Sequence, residues 1–384
     1  MTTLETSRPD AQIIEEPLRG TRLTEGAAKL RIAVVAPPWF PVPPDGYGGI
    51  EAMLAAVVDG LVARGHDVCL IGAGENRTTA QQFVAVYDDP PSERLGESLP
   101  EVLHAAAAGR VLRDLEPDLV HDNTLAGPLT APGHRAPTVV TAHGSVGGEP
   151  GRYLAELSHT VSLVAISDAQ RRAAPDLNWV GRVHNAVDVS TYPVGLGDDG
   201  FLLFLGRFCP EKGAHLAIDA ARSAGWSLVL AGKLNEPAER AYFDEAIRPR
   251  LGAHVTYVGE ADREMKRELY GAAAAVLFPI QWEEPFGLVM IEAMACGTPV
   301  IALDRGSVAE VVRDGVTGFV VESPDDLVGA IRKVGAIDRG GCRRHVQQHF
   351  DLPAMVDGYE RIFRDVASRR AGASLRTRLP AYPG

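Results

Sequence analysis

The chain has 384 residues, and its 38 Lys+Arg against 50 Asp+Glu give a formal net charge of −12. Hydrophobic residues make up 46% and charged residues 23%, an ordinary balance that excludes fibrous and wholly disordered classes. The acidic excess speaks against a nucleic-acid binder, no charge-free run of ~18 apolar residues is present to span a membrane, and the length predicts two domains.

Residues 1–30 are polar and aperiodic and are read as a flexible leader without the apolar core of a secretory signal, which places the chain in the cytosol. Arg31–Pro37 is a short apolar run of the kind that forms a buried parallel strand. A Pro/Gly-rich loop follows, then a predicted helix over Ile50–Gly65 with Met53, Leu54, Val57, Val58, Leu61 and Val62 on one stripe, then a strand over His66–Ile71. This is a βαβ unit. A helix is predicted over Leu99–Leu115, with strands at Asp118–His121, Thr138–Thr141 and Leu163–Ile166.

A Gly/Asp-rich break at Gly195–Gly200 precedes a second series. It has strands at Phe201–Leu205, Ser227–Ala231, Val255–Val258, Ala275–Phe278 and Pro299–Ala302, and helices at Ala214–Ala224 and about Glu236–Leu251. The parse is a leader (1–30), a first domain (31–190), a second domain (191–352), a helix at about 353–369 that packs back on the first domain, and a loose tail (370–384). The four cysteines, Cys69, Cys209, Cys296 and Cys342, form no C-x-x-C pair, so neither a disulfide framework nor a zinc knuckle is expected.

Ligands of open α/β sheets bind beyond the carboxyl ends of the strands, and four features lie there. Gly46-Tyr-Gly-Gly-Ile50 sits between the first strand and first helix, where Gly48 and Gly49 let a backbone approach an anion at the helix start. It is neither G-x-G-x-x-G nor a P-loop, which demotes dinucleotide and ATPase readings. After the second domain's first strand, Arg207 and Lys212 in Gly206-Arg-Phe-Cys-Pro-Glu-Lys-Gly213 offer a planar fork and a point charge suited to a diphosphate.

In Glu284-Pro-Phe-Gly-Leu-Val-Met-Ile-Glu292, Pro285 keeps Glu284 out of a helix predicted to start near Phe286. Glu284 and Glu292 are then on the order of 10 Å apart, too far for the ~5 Å carboxylate pair of a retaining glycosidase. They are read as holding different parts of one polyol ligand, with the N–H groups of Phe286, Gly287 and Leu288 as further donors. The fourth feature is His143, flanked by Gly144 at a strand end, with His121 a weaker candidate on the same edge. H-E-x-x-H, G-x-S-x-G and D-x-D are all missing, so a bound diphosphate would be neutralised by Arg207, Lys212 and helix N-termini without metal.

Over about residues 31–365 the sequence resembles the retaining nucleotide-sugar glycosyltransferases of family 4, which have the GT-B fold of two Rossmann-like βαβ domains facing across a cleft. The matching residues are Gly206-Arg207 with Lys212-Gly213, the E-x7-E pair Glu284 and Glu292, Ala295–Val300, Asp314–Phe319, Gly48-Gly49-Ile50, His121, and Val183–Asp188 at the interdomain join. The resemblance implies that Arg207 and Lys212 bind the donor diphosphate and Glu292 the ribose. By the same resemblance Glu284 holds the sugar hydroxyls with amides of Phe286, Gly287 and Leu288, His143 contacts the transferred sugar, and Gly48 and Gly49 approach the phosphates.

The reaction so implied is hexosyl transfer with retention, from a donor read as UDP-glucose, with no cofactor or metal and with the leaving phosphate taking the acceptor's proton. Two positions depart from the family pattern G-G-[LI]-P-E, since Gly306 is followed by Ser307 and Val308 by Ala309. The net charge of residues 31–190 is −8. That charge gives no attraction to an anionic bilayer, so membrane association is not expected and a small soluble or neutral acceptor is. A homodimer is allowed. The rival readings are a GT-B epimerase and a non-catalytic nucleotide-sugar binder.

Overall fold

The computed structural model describes residues 28–46, 48–197 and 199–377. The predicted leader falls outside the described residues except for 28–30, as does the tail beyond 377. The first sheet contains β1 (Arg31–Val35), β2 (Asp67–Ala73), β3 (Gln82–Tyr87), β4 (Leu119–Asp122), β5 (Thr138–Ala142), β6 (Ser162–Ala165) and β7 (Trp179–Arg182), in the order β3-β2-β1-β4-β5-β6-β7. The second contains β8 (Phe201–Leu205), β9 (Ser227–Ala231), β10 (Val255–Tyr257), β11 (Ala275–Phe278), β12 (Val300–Leu303) and β13 (Gly318–Val321), in the order β10-β9-β8-β11-β12-β13. All their pairings are parallel.

Twelve α-helices connect them among the described residues. The first domain has α1 (Gly49–Ala63), α2 (Ser98–Leu115), α3 (Gly148–Leu157) and α4 (Asp168–Ala173). The second has α5 (Ala214–Ala224), α6 (Pro237–Tyr242), α7 (Arg263–Ala272), α8 (Leu288–Ala295), α9 (Val308–Val311), α10 (Leu327–Lys333) and α11 (Arg339–His349), and α12 (Leu352–Thr377) follows. No helix among the described residues is long and apolar enough to cross a membrane.

The apolar runs form central strands because both faces are covered: Ile32, Val34, Leu202 and Leu203 are fully buried. Two features of sequence distribution shape the packing of α12. Gly60 and Gly181 lie so close to Val356 and Ile362 of α12 that a Cβ would sit 2.5 and 2.6 Å from those side chains. These glycines let α12 settle on α1 and β7, where Met355, Tyr359 and Phe363 join the first domain's core.

Three local readings differ from the structure. The helix expected over Glu236–Leu251 is α6 followed by a π-turn at Phe243–Ile247 and a 3-10 turn at Arg248–Arg250, because Pro249 removes an amide from the ladder. The E-P-F-G helix begins at Leu288 rather than near Phe286, since Gly287 takes a left-handed φ of 79° and caps it. The terminal helix continues to Thr377, past the expected start of the tail at 370.

In each sheet the strand order reverses once, between β1 and β4 and between β8 and β11. Those two crevices are the natural ligand positions of the fold. The domains meet across them: a Cβ added to Gly49, at the start of α1, would lie 3.2 Å from Leu288 at the start of α8.

Candidate active site

The residues singled out in the sequence gather at these crevices. Arg207 follows β8 and is exposed, with no ion pair among the described residues. Lys212 ends the same loop, and Gly213 behind it has a φ of 73°, with the carbonyl of Pro279 where a Cβ would be. Only glycine permits that approach of the β8 loop to the β11 loop.

Lys212 Nζ pairs with Glu284 Oε2 at 2.5 Å. Trp282 Nε1 donates to the same oxygen at 3.0 Å, and its ring lies 5.4 Å below the ammonium. Glu284 is 8% exposed, so its charge is held by this pair, while Oε1 has no hydrogen-bond partner among the described residues.

Glu284 is separated from α8 by Pro285, Phe286 and Gly287. The N–H groups of Phe286, Gly287 and Leu288 have no acceptor among the described residues, as expected of the first turn of a helix. Glu292, one turn further, accepts from the Tyr270 hydroxyl at 2.8 Å through Oε2. Burial and the neighbouring Glu292 carboxylate push the Tyr270 phenol well above its ordinary range, so it remains a donor. Each of the two carboxylates therefore has one oxygen engaged and one left for a ligand hydroxyl.

The first domain supplies the opposite wall. Gly48 adopts a φ of 143°, and a Cβ there would meet Pro44 at 2.9 Å and Glu51 Oε2 at 3.1 Å. Gly48 and Gly49 thus bring bare backbone to the N-terminus of α1. His143 follows β5 and is half-buried, with Nε2 2.9 Å from Asn123 Oδ1. The Asn123 amide donates to the Val35 and His121 carbonyls, so its oxygen accepts and His143 Nε2 is the donor. Burial pushes the His143 imidazole down to about 4, so it is neutral at pH 7 with Nδ1 as its acceptor.

His121 is not at the site. It is fully buried, bonded to Thr141 Oγ1 and packed against Tyr359 and Phe363 of α12. Further residues complete the arrangement: Asn123 orients His143, Trp282 and Tyr270 orient the two glutamates, and Ser307, which the sequence marks only as a departure from the family pattern, fastens the loop between them. The fully buried Ser307 donates from Oγ to the Phe286 carbonyl and from N to the Glu284 carbonyl, both at 2.9 Å. Its replacement of the family's glycine therefore adds a bond to the Glu284 loop. The signal for Trp282 was its place two residues before Glu284, and for Ser307 its departure from the family's glycine; for Asn123 and Tyr270 no local signal exists.

Comparison with known proteins identifies the family and the fold. Residues 47–191 match the family described as Glycosyltransferase Family 4, and residues 194–339 match Glycosyl transferases group 1. The glycogen synthase of Mycobacterium tuberculosis is 27% identical, the alignment covering 91% of this chain and 98% of the relative. The phosphatidyl-myo-inositol mannosyltransferase of the same organism is 28% identical over 80% of this chain and 87% of its own. Among solved structures, AviGT4, a glycosyltransferase involved in avilamycin A biosynthesis, superposes with a TM-score of 0.67 at 27% identity, covering 88% of this chain and 98% of that one. With both halves matched, the paired parallel sheets and the E-x7-E carboxylates on one helix start, the chain belongs to the family 4 glycosyltransferases of the GT-B fold.

Proposed function

We propose that the chain transfers a hexosyl unit with retention, from UDP-glucose to the hydroxyl of a small or neutral acceptor, without a metal ion. The observation that carries this reading is the set of groups around the second crevice. Arg207, without an ion pair among the described residues, and the paired Lys212 lie on one loop, while Glu284 and Glu292 each keep one oxygen unengaged by those residues. Two cations and three free amides suit a diphosphate; two carboxylates suit the diols of a ribose and a sugar.

In the proposed step the bond between the sugar's anomeric carbon and the phosphate oxygen breaks, and the acceptor oxygen bonds to that carbon on the same face. The acceptor's proton passes to the departing phosphate, and UDP leaves. Arg207 and Lys212 stabilise the charge that grows on the diphosphate. Glu284 holds the sugar, Glu292 the ribose, and His143, neutral and oriented by Asn123, faces the transferred sugar. Gly48 and Gly49 approach the phosphates from the first domain. The name of the glycogen synthase relative supports a glucosyl donor, and the −8 charge of residues 31–190 supports an uncharged acceptor.

Thermal shift against UDP, GDP, ADP and their hexose conjugates tests the donor. A selective shift with UDP and UDP-glucose is expected. A selective GDP or ADP shift would replace the donor, and no shift with any would remove the transfer reading. Binding of UDP-glucose without release of UDP would make the chain a binder. Turnover should survive EDTA, and a strict divalent-ion requirement would overturn the metal-free step.

A further inference from the structure

We infer that Glu310 is a positioning residue that couples contact between the domains to the shape of the donor loop, an inference that rests on the transfer reading above. Glu310 belongs to α9 of the second domain, but its carboxylate lies on the first. It accepts from the Asp168 amide at 2.7 Å and from the Ala169 amide, the first two free N–H groups of α4. It also pairs with Arg172 at 3.2 Å and with His184 Nε2 at 3.3 Å. His184 Nδ1 faces Arg182 at 3.0 Å, and a guanidinium only donates, so Nε2 is the N–H that donates to Glu310. The carboxylate side chain is 13% exposed, and hydrogen bonding from His184 and the two amides holds it below the usual carboxylate range against the opposing effect of burial.

The other end of this connection is the donor loop. Glu310 N donates to the Ser307 carbonyl at 2.9 Å. Ser307 in turn holds the Glu284 and Phe286 carbonyls. Gly306, at a φ of 58°, lies so close to Glu284 that a Cβ would sit 2.3 Å from its carbonyl oxygen. A second line runs through the interdomain join: the His184 ring packs 5.6 Å from the Phe286 ring and 5.3 Å from that of Phe350.

One five-residue segment, Gly306–Glu310, is therefore bonded at one end to the first domain's α4 and at the other to the backbone between Glu284 and Gly287. When the domains part, Glu310 loses its amides and the loop loses a fixed support. When they meet, the loop is held where Glu284 and the α8 amides face the donor. Glu310 touches no substrate in this scheme; it acts through Ser307 and Phe286.

The test uses the full chain with UDP-glucose as donor probe, reading UDP release, UDP affinity by calorimetry and domain spread by solution X-ray scattering. Glu310→Ala is expected to lower turnover by about tenfold, as a displaced loop would. UDP affinity should stay within about twofold, because the second domain's own contacts remain, and scattering should show a wider particle. Glu310→Gln, which keeps one accepting oxygen, should recover part of the turnover, and it carries the measurement if the alanine variant fails to fold. Unchanged turnover overturns the inference, as does UDP affinity falling in step with turnover. If the unaltered chain binds UDP yet releases none from UDP-glucose, the transfer reading falls. Scattering then decides for Glu310, a wider Glu310→Ala particle supporting the coupling and an equal one overturning it.

Discussion

The two domains share one architecture yet hold their ionisable groups in opposite ways. At the carboxyl end of the first sheet they are buried or half-buried, without counter-ions among the described residues. Burial pushes the Glu51 and Asp122 carboxyls up to about 7 and raises Glu101 as well. The same desolvation pushes His104 and His143 down to about 4 and His121 to about 3. At the same end of the second sheet the charges are retained: Arg207 lies in water, Lys212 is paired with Glu284, and Glu292 is bonded to Tyr270. Desolvation removes charge where no partner is supplied, and pairing preserves it. Under the proposed transfer, the domain that meets a diphosphate needs kept charge, and the domain that presents a neutral hydroxyl does not.

The contrast has measurable consequences. The largest effect belongs to the retained cations. Arg207→Ala and Lys212→Ala should each lower UDP release from UDP-glucose by ~10²–10³-fold, the range for losing an electrostatic stabiliser. Lys212→Ala should also lower the melting temperature, because Glu284 then keeps a buried charge with Trp282 as its one side-chain donor among the described residues. Activity surviving both changes would remove the diphosphate from this loop.

Next comes Glu292→Ala, which should weaken UDP binding by roughly 10-fold or more, the worth of a hydrogen bond to a charged group. Calorimetric affinity equal to that of the unaltered chain would refute the ribose assignment.

The first domain's side of the contrast is tested by Glu51→Gln. The Glu51 carboxyl binds its proton more tightly in the folded chain, at about 7, than at its ordinary 4.5. Its contribution to stability is therefore complete below pH 4.5 and is lost as pH rises through 7. Glutamine carries no such loss, so the variant should melt a few degrees higher than the unaltered chain at pH 8, on the order of 2 kcal/mol, and show no such gain at pH 4. An equal difference at both pH values would mean that Glu51 is not held protonated by burial.

The smallest effect is expected of Ser307→Ala. It deletes the bond to the Phe286 carbonyl, worth ~1 kcal/mol, and should lower UDP release from UDP-glucose by about fivefold, with UDP affinity within about twofold. Unchanged turnover would show that the Glu284 loop is held without that bond.

Much of this was legible in the sequence, and the illegible parts have physical causes. Central strands β1 and β8 announce themselves because both faces are buried, which demands continuous apolar residues. β3, β7 and β13 escaped notice because they are edge strands with half-buried faces, as the mixed sequence Trp179-Val-Gly-Arg182 shows. α7 was missed for a related cause: of its ten residues only Tyr270 is buried, so its sequence is dominated by charge. The candidate residues after β1, β5, β8 and β11 were findable since strand ends are where the topology opens.

Local sequence sets the alternation of strands and helices, the two-domain parse, the placing of Arg207 and Lys212 on one loop and that of Glu284 and Glu292 across one helix start. These are properties of neighbours along the chain, set by periodicity, glycine and proline. Tertiary structure alone decided that Asn123 fixes the proton of His143, that Trp282 and Lys212 share one oxygen of Glu284, and that Ser307 and Glu310 link the donor loop to α4. Those contacts join residues up to 142 positions apart. Hydrogen bonds and burial depend on distance in space, which no local pattern encodes until the sheets and the interdomain join have brought the partners together.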